Sequence, residues 1–236
     1  MVDNNDIVFD FNDIEISKTM AFNGIYITNI YHDNRIQSND IKITSHGIPK
    51  PHPVYFPDDT KRNFIKIPLD LLQQSCVSLK HHLKKADDFF ASDKTKKKIL
   101  SFTKKSQYVP IIKSPVQIDT DEIVPKKCDY VKIKFPINGI KINVKDETHR
   151  LNNIAEIENY IKFGSVINFT FRYACIWIAN NKYGVILIME QIHVVSSNNF
   201  MKFYSPIYDL NKLKQAYQKI ISKQKITAPH PIAIEI

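Results

Sequence analysis

From Tyr130 to Lys145 the chain alternates apolar and lysine side chains on either side of one Asn-Gly pair, a pattern with few structural solutions. Successive side chains of a strand point to opposite faces, so Val131, Ile133, Phe135, Ile142 and Val144 form an inward row. Lys132, Lys134, Lys141 and Lys145 form the outward one. Asn138-Gly139 readily supplies the positive φ values of a tight two-residue turn, so a β-hairpin is expected over 130–145. A second hairpin is expected from Val166–Ala179, turning at Asn180-Asn181 and returning as Tyr183–Val195. Between the two, Ile154, Ile157 and Ile161 line one side of a short helix that Asn152 or Asn153 can cap and Gly164 can end.

Upstream the signals are shorter. Ile7–Phe11 and Ile14–Ile16 alternate as strands do, and Asn23-Gly24 precedes a run at Ile25–Thr28. Pro49, Pro51, Pro53 and Pro57 mark an extended loop. Phe64–Leu69 reads as a strand with Ile65, Ile67 and Leu69 on one face. The clearest helix follows: Leu72, Cys76, Leu79, Leu83, Ala86 and Phe90 recur at steps of three and four. Ser92-Asp93 then breaks and recaps the helix before a segment, 94–105, that holds six lysines. A last helix is expected over Leu210–Ser222, before a proline-bearing tail. The resulting division is an N-terminal strand-and-loop elaboration (1–60), a strand with a lysine-rich helical insertion (61–106), a core (107–195) and a C-terminal helix and tail (196–236), together forming one unit.

Charge narrows the class of partner. The net charge is +9, yet residues 1–60 carry four basic and nine acidic side chains, and residues 61–236 carry 29 basic and 15 acidic. That segregated excess points to an anionic partner, and nucleic acid fits better than a membrane because no basic amphipathic helix dominates. Only Arg35, Arg62, Arg150 and Arg172 are arginine. Lysine is a flexible point charge suited to phosphates, whereas reading guanine favours arginine, so binding with little sequence preference is expected. The same lysine richness also follows from an A+T-rich coding sequence.

Several chemistries find no footing. The five glycines, at 24, 47, 139, 164 and 184, are too far apart for either phosphate-binding glycine motif. Cys76, Cys128 and Cys175 lack zinc spacing, and their odd number fits a reducing compartment. The first residues carry neither a basic n-region nor an apolar h-region, so no secretory signal is expected. Cys76, His81 and His82 do not converge on one ligand site at their helical spacing. Asp87-Asp88 and the cluster Asp119, Asp121, Glu122 could hold Mg²⁺ in a nuclease, but a solvated helix face and a turn explain them as well. No metal, cofactor or enzymatic activity is therefore expected.

Taking Tyr108–Ile112 as a lead strand, the order from residue 107 becomes β-β-β-α-β-β, the connectivity of the five-stranded OB barrel. The expected class is thus a β-rich α+β protein, an OB-type barrel with additional strands and helices. Ile176-Trp177-Ile178-Ala179-Asn180-Asn181-Lys182-Tyr183-Gly184-Val185, ending in Gln191-Ile192-His193-Val194, resembles the terminal hairpin of the OB-fold single-stranded DNA-binding proteins of large nucleocytoplasmic DNA viruses. Phe64–Leu69, the helix ending Ala86-Asp87-Asp88-Phe89-Phe90, the lysine-rich segment and Tyr108-Val109-Pro110 resemble that family in the same order, so the similarity covers about residues 40–195. It implies a viral, intracellular protein, in the host cytoplasm or nucleus, that coats single strands in replication, recombination or repair. Many such proteins recruit partners through an acidic tail. This chain instead ends Lys223-Gln224-Lys225 and an apolar segment with only Glu235, so replication partners would have to be met otherwise.

The residues support that class independently. Single-strand binding needs a basic groove beside aromatic faces on which bases stack. Strand alternation puts Phe169, Phe171, Tyr173 and Trp177 on one face, and an all-aromatic face can also be core. A bulge at Ala174-Cys175 would swap faces. Tyr173, Trp177 and Tyr183 are the expected stackers, with Phe169 and Phe171 in the core. Lys132, Lys134, Lys141, Arg172 and Lys182 are the expected phosphate contacts. The alternatives are a virion or structural protein that uses the barrel for protein contacts, and an RNA-binding OB protein. Self-association stays open, and no membrane is expected. The acidic N-terminus could also lie over the basic face as a mimic of DNA.

Overall fold

A computed structural model describes residues 7, 9–17, 19–22, 25–32, 35–43, 63–99, 106–116, 123, 127–145, 147–151, 154–157, 159–161 and 164–196. All of these lie in one compact unit, residues 1–198. The proline loop, residues 100–105 and the expected helix at 210–222 fall outside the described residues.

The expected terminal hairpin is the backbone of the molecule. β11 (Val166–Ala179) and β12 (Lys182–Ser196) pair antiparallel from Ala179↔Lys182 to Val166↔Ser196. Asn180 and Asn181, at φ 49° and 56°, make the left-handed two-residue turn that suits a right-twisted pair. Strands this long serve several neighbours along each edge. On one side of β11, β3 (Ile25–Tyr31) pairs near its end and β4 (Ile36–Lys42) near its start. On the far side of β12 lie, in turn, β6 (Gln107–Val109), β8 (Tyr130–Lys134) and β9 (Ile140–Val144), all parallel to it. β1 (Glu15–Ile16) and β2 (Met20–Phe22) pair with β3, the β2–β3 register running from Met20↔Ile27 to Phe22↔Ile25. β5 (Phe64–Pro68) and β7 (Ile112–Lys113) pair with β8, and β10 (Glu147–Leu151) with β9.

The result is one mixed, strand-rich sheet with few helices. Its paired path runs β1-β3-β11-β12-β8-β5, and among the described residues no pairing joins the two ends. Among the described residues, 107–195 do not close on themselves, because β3, β4 and β5 supply edges to β11 and β8.

The hairpin expected over 130–145 does not form. β8 and β9 both run along β12, β8 meeting it at Ile188 and β9 from Gln191 to Val194. Gly139, at φ 81°, donates its N–H to the Pro136 carbonyl at 3.0 Å, and the turn steps the chain forward along one edge. Fifteen residues of β12 offer enough edge for both segments, a competitor that local alternation cannot register. The true hairpin is β9–β10, through Lys145 at φ 54°. The lead strand is likewise broken at Pro110 into β6 and β7, which face different partners.

Behind the sheet lies α1 (Gln74–Ala91), which buries Cys76, Leu79, His82, Leu83, Ala86 and Phe90. Leu72 departs from the expected stripe and is 95% exposed. Asp70 accepts from the Leu72 N–H, and the resulting turn delays the helix. Ser92 ends α1, and its Oγ accepts the Thr95 N–H to start α2 (Asp93–Ile99), the recap expected at Ser92-Asp93. α3 is a single turn at Ile154–Ile157, and Gly164 follows in the left-handed region at φ 84°. Residues 9–13 are not a strand. Asp10 caps a 3₁₀ turn over Phe11–Asp13, and the rings of Phe9 and Phe11 pack on His82 and Tyr173.

Candidate nucleic-acid interface

β11 changes phase in its middle. Ile167, Phe169, Phe171 and Tyr173 are buried at odd positions, then Ile176 and Ile178 at even ones. The register slips between Tyr173 and Cys175, where a bulge inserts one residue and turns every later side chain to the other face. The bulge expected at Ala174-Cys175 is present, and it removes Trp177 from the aromatic core and delivers it, half-buried, to the outer face.

Across the hairpin Trp177 pairs with Gly184. A Cβ on Gly184 would lie 3.0 Å from the indole Nε1 and 3.1 Å from Cε2 and Cζ2, so the ring rests directly on glycine backbone. The indole stands at one wall of a trough of about 460 Å³. Ile25, Ile27, Val185 and Ile186 make it apolar, Val109 and Pro110 close one side, and Lys113, Lys132 and Lys134 reach it from β7 and β8.

Those lysines belong to a larger cluster. Lys66 and Lys132 sit directly opposite each other on β5 and β8, an arrangement that by itself opposes pairing. Lys132 Nζ lies 3.7 Å from the centre of the Phe64 ring, and Lys66 Nζ lies 4.6 Å from that of Tyr130. Partial burial, followed by the ammonium groups of Lys134, Lys66 and Lys113, draws the Lys132 pKa below the ordinary lysine value. Burial also lowers that of Lys113, with Asp87 acting the other way. Among the described residues no carboxylate lies within ion-pair distance of Lys113, Lys132 or Lys134. Four cations that repel one another are thus held beside an aromatic ring.

Asp87 props this wall. Its Oδ1 accepts from the Tyr108 hydroxyl at 2.7 Å and the Ile111 N–H at 2.6 Å, and its Oδ2 from the Ile112 N–H at 3.3 Å. Burial and then the Asp87 charge push Tyr108 far above the ordinary tyrosine pKa, so its hydroxyl keeps the proton it donates. Asp87 therefore serves the β6–β7 kink. Cys76 is core, its thiol donating to the Pro68 carbonyl at 3.5 Å and pushed by burial up to about 11. Among the described residues no group of three or more His, Cys, Asp or Glu could hold a metal ion.

The expected site residues separate into three groups. Trp177, Lys132 and Lys134 meet at the trough. Tyr173 and Tyr183, expected as stackers, are buried in the core. The Tyr173 hydroxyl meets His82 Nε2 at 3.0 Å, and the Tyr183 hydroxyl donates to the Phe90 carbonyl at 3.0 Å, so both amphipathic rings satisfy their polar ends indoors. Lys141 and Arg172 lie further along the outer face, where Arg172 Nε is held 3.1 Å from Glu190. Lys182 is exposed beside the hairpin turn and does not line the trough.

Sequence reasoning missed Lys66, Lys113 and Gly184. Lys66 was visible as the outward residue between Ile65 and Ile67, and Gly184 as the partner of Trp177 in a two-residue hairpin. Lys113 carried no periodic signal. Of the described residues before Ile25, none lines the trough, and Phe9 and Phe11 pack instead on the α1 side.

No protein-family model matches the chain. It is similar to Uncharacterized protein R505 of Acanthamoeba polyphaga mimivirus, with 27% identity over 186 residues, covering 62% of this chain and 45% of that protein. The chain thus spans less than half the length of that viral relative, whose name states no activity.

Proposed function

We propose that the chain is a non-catalytic single-stranded DNA-binding protein that uses the outer face of the β11–β12 sheet, in the manner of an OB-type strand face, with little sequence preference. The observation that carries the reading is Trp177 standing over Gly184 at the wall of an apolar trough, beside Lys66, Lys113, Lys132 and Lys134. A base stacks on a ring whatever its identity, and lysine neutralises phosphate without reading sequence. Mutual repulsion among the lysines is a standing cost that a polyanion relieves. The role that such binding would serve is replication, recombination or repair of DNA, and the similarity to a mimivirus protein suits a viral source.

The test is anisotropy of labelled (dT)12 against duplex at 50 and 200 mM salt. Three to four phosphate contacts at the trough predict a slope of log K on log salt of about −2 to −3 for single strands, and any contact further along the face steepens it by about 0.7. Equal affinity for duplex, or affinity indifferent to salt, would overturn the reading. Competition with oligo(rU) decides between DNA and RNA. The exposed Met20, Tyr26 and Tyr31 on β2 and β3 favour a second reading, a structural protein that uses this sheet for protein contacts. Its signature is a stable oligomer without affinity for nucleic acid.

A further inference from the structure

Resting on that reading, we infer that the strand has a second phosphate station on the same face, in a separate cavity of about 410 Å³ lined by Arg35, Lys141, Arg150, Thr170, Glu190 and Gln191.

Three of the four arginines in the chain gather at this place, although 137 residues separate Arg35 from Arg172 in sequence. Lys141 and Arg150 are direct cross-strand partners on β9 and β10, a second pair of like charges opposed in a ladder. Arg150 Nε donates to the Asn138 carbonyl at 2.8 Å, which steadies the guanidinium at the cavity wall. Arg35 Nε and Arg172 Nε both contact the Glu190 carboxylate, which bulges from β12 where Thr170 pairs with Gln191 and Phe171 with Met189. Glu190 thus pairs with two of the four cations, Arg35 and Arg172, while Lys141 and Arg150 line the same cavity, and the excess positive charge is of the sign a phosphodiester needs. Glu190 plays the part of resident counter-ion: it holds Arg35 and Arg172 in place and competes with an incoming phosphate for the same N–H donors.

The two places lie on one path. Trp177, Cys175, Arg172 and Thr170 succeed one another on the outer row of β11, and β12 presents Gly184 at the trough and Gln191 at the cavity. Seven residues of strand separate the last two, about 23 Å at ~3.3 Å per residue. Lys134 pairs with Ile188 and Lys141 with Gln191, so the ammonium groups of β8 and β9 bridge the interval.

The distance supplies the experiment, since Trp177 is the only tryptophan and its emission reports the trough alone. (dT)3, about 10 Å long at ~3.4 Å per nucleotide, fills the trough without reaching the cavity, whereas (dT)12 spans both. Lys141→Gln and Arg150→Gln are each expected to weaken (dT)12 about fivefold at 0.1 M salt, because each phosphate left without its cation takes ~0.7 from the slope, and to leave (dT)3 unchanged. Glu190→Gln is expected to act oppositely, tightening (dT)12 by a similar factor with (dT)3 unaffected. A merely structural role for Glu190 would weaken both. If the two cation variants bind both oligonucleotides like the wild type, or lose both equally, the second station is refuted and the trough stands. If neither oligonucleotide alters the wild-type emission, single-strand binding itself is refuted, and the station with it.

Discussion

Replacing Trp177 by alanine separates stacking from charge more cleanly than any other substitution in the molecule. The ring is half-buried on Gly184 and carries no charge, so its loss should subtract a constant free energy at every salt concentration. One base stacked on an aromatic ring contributes about 1–3 kcal/mol, a fall in affinity for (dT)12 of about 5- to 150-fold. The slope of log K on log salt should not change, because the lysines remain. Stability is affected separately. An aromatic side chain buries about 150–250 Å² when fully covered; about half of that at ~25 cal/mol/Å² gives an upper bound near 2–3 kcal/mol. For a unit of this size that lowers the melting temperature by about 4–12 °C, leaving the variant folded at 20 °C. Anisotropy titrations of labelled (dT)12 at 50, 100 and 200 mM salt, alongside thermal melts by circular dichroism, measure both quantities. Trp177→Phe, which keeps a face, should recover most of the affinity. A loss below twofold in the alanine variant, or a loss that comes with a shallower salt slope, would refute the stacking role.

Gly184→Val places carbon where the indole lies and should lift the ring, giving a shifted emission maximum and weakened (dT)12 binding; an unchanged spectrum would contradict the contact of 3.0–3.1 Å. Lys132→Gln and Lys134→Gln should each flatten the salt slope by about 0.7, and unaltered slopes would remove those lysines from the interface. Cys175, on the outer row between Trp177 and Arg172, has its thiol pKa raised by burial, so a thiol reagent should label it slowly and more slowly still with (dT)12 bound; indifference to the oligonucleotide counts against this face. His82 is buried against Tyr173, and burial, then Lys85 and His81, lowers its pKa from 6.5 to about 4. The unfolded chain binds the proton first, so stability is full above pH 6.5 and falls as pH drops towards 4, by about 3 kcal/mol. Urea titrations across that window should lose the effect in His82→Gln, and a slope that persists would assign it to other groups.

How much was legible follows from the range of each interaction. The β11–β12 hairpin, α1 and its recap at Ser92 depend on residues within a few positions of one another, and all three appear where alternation, a three-four stripe and turn chemistry put them. The Tyr130–Lys145 segment misled because its alternation was correct and its partner was not: Val131, Ile133 and Ile142 are buried as expected, yet β8 and β9 both pair with β12. Alternation reports which way a side chain points, not which strand lies alongside. Tyr173 and Tyr183 misled for another reason. Their hydroxyls favoured a half-wet groove until His82 and the Phe90 carbonyl, about ninety residues away in the chain, supplied partners inside.

By itself, then, the order of residues determined the β11–β12 hairpin, α1 and its recap, which lysines of β8 and β9 face outward, and that one region carries an excess of positive charge. Those properties arise from backbone sterics, periodicity and composition, which act locally. Only the tertiary structure decided that Trp177 leaves the core, that four lysines from β5, β7 and β8 share one patch, and that Arg35 and Arg172 meet at Glu190 beside the cavity that Arg150 lines. Each of these depends on the pairing of segments remote in sequence or on a one-residue bulge, and the free energy that selects among such pairings belongs to the whole sheet.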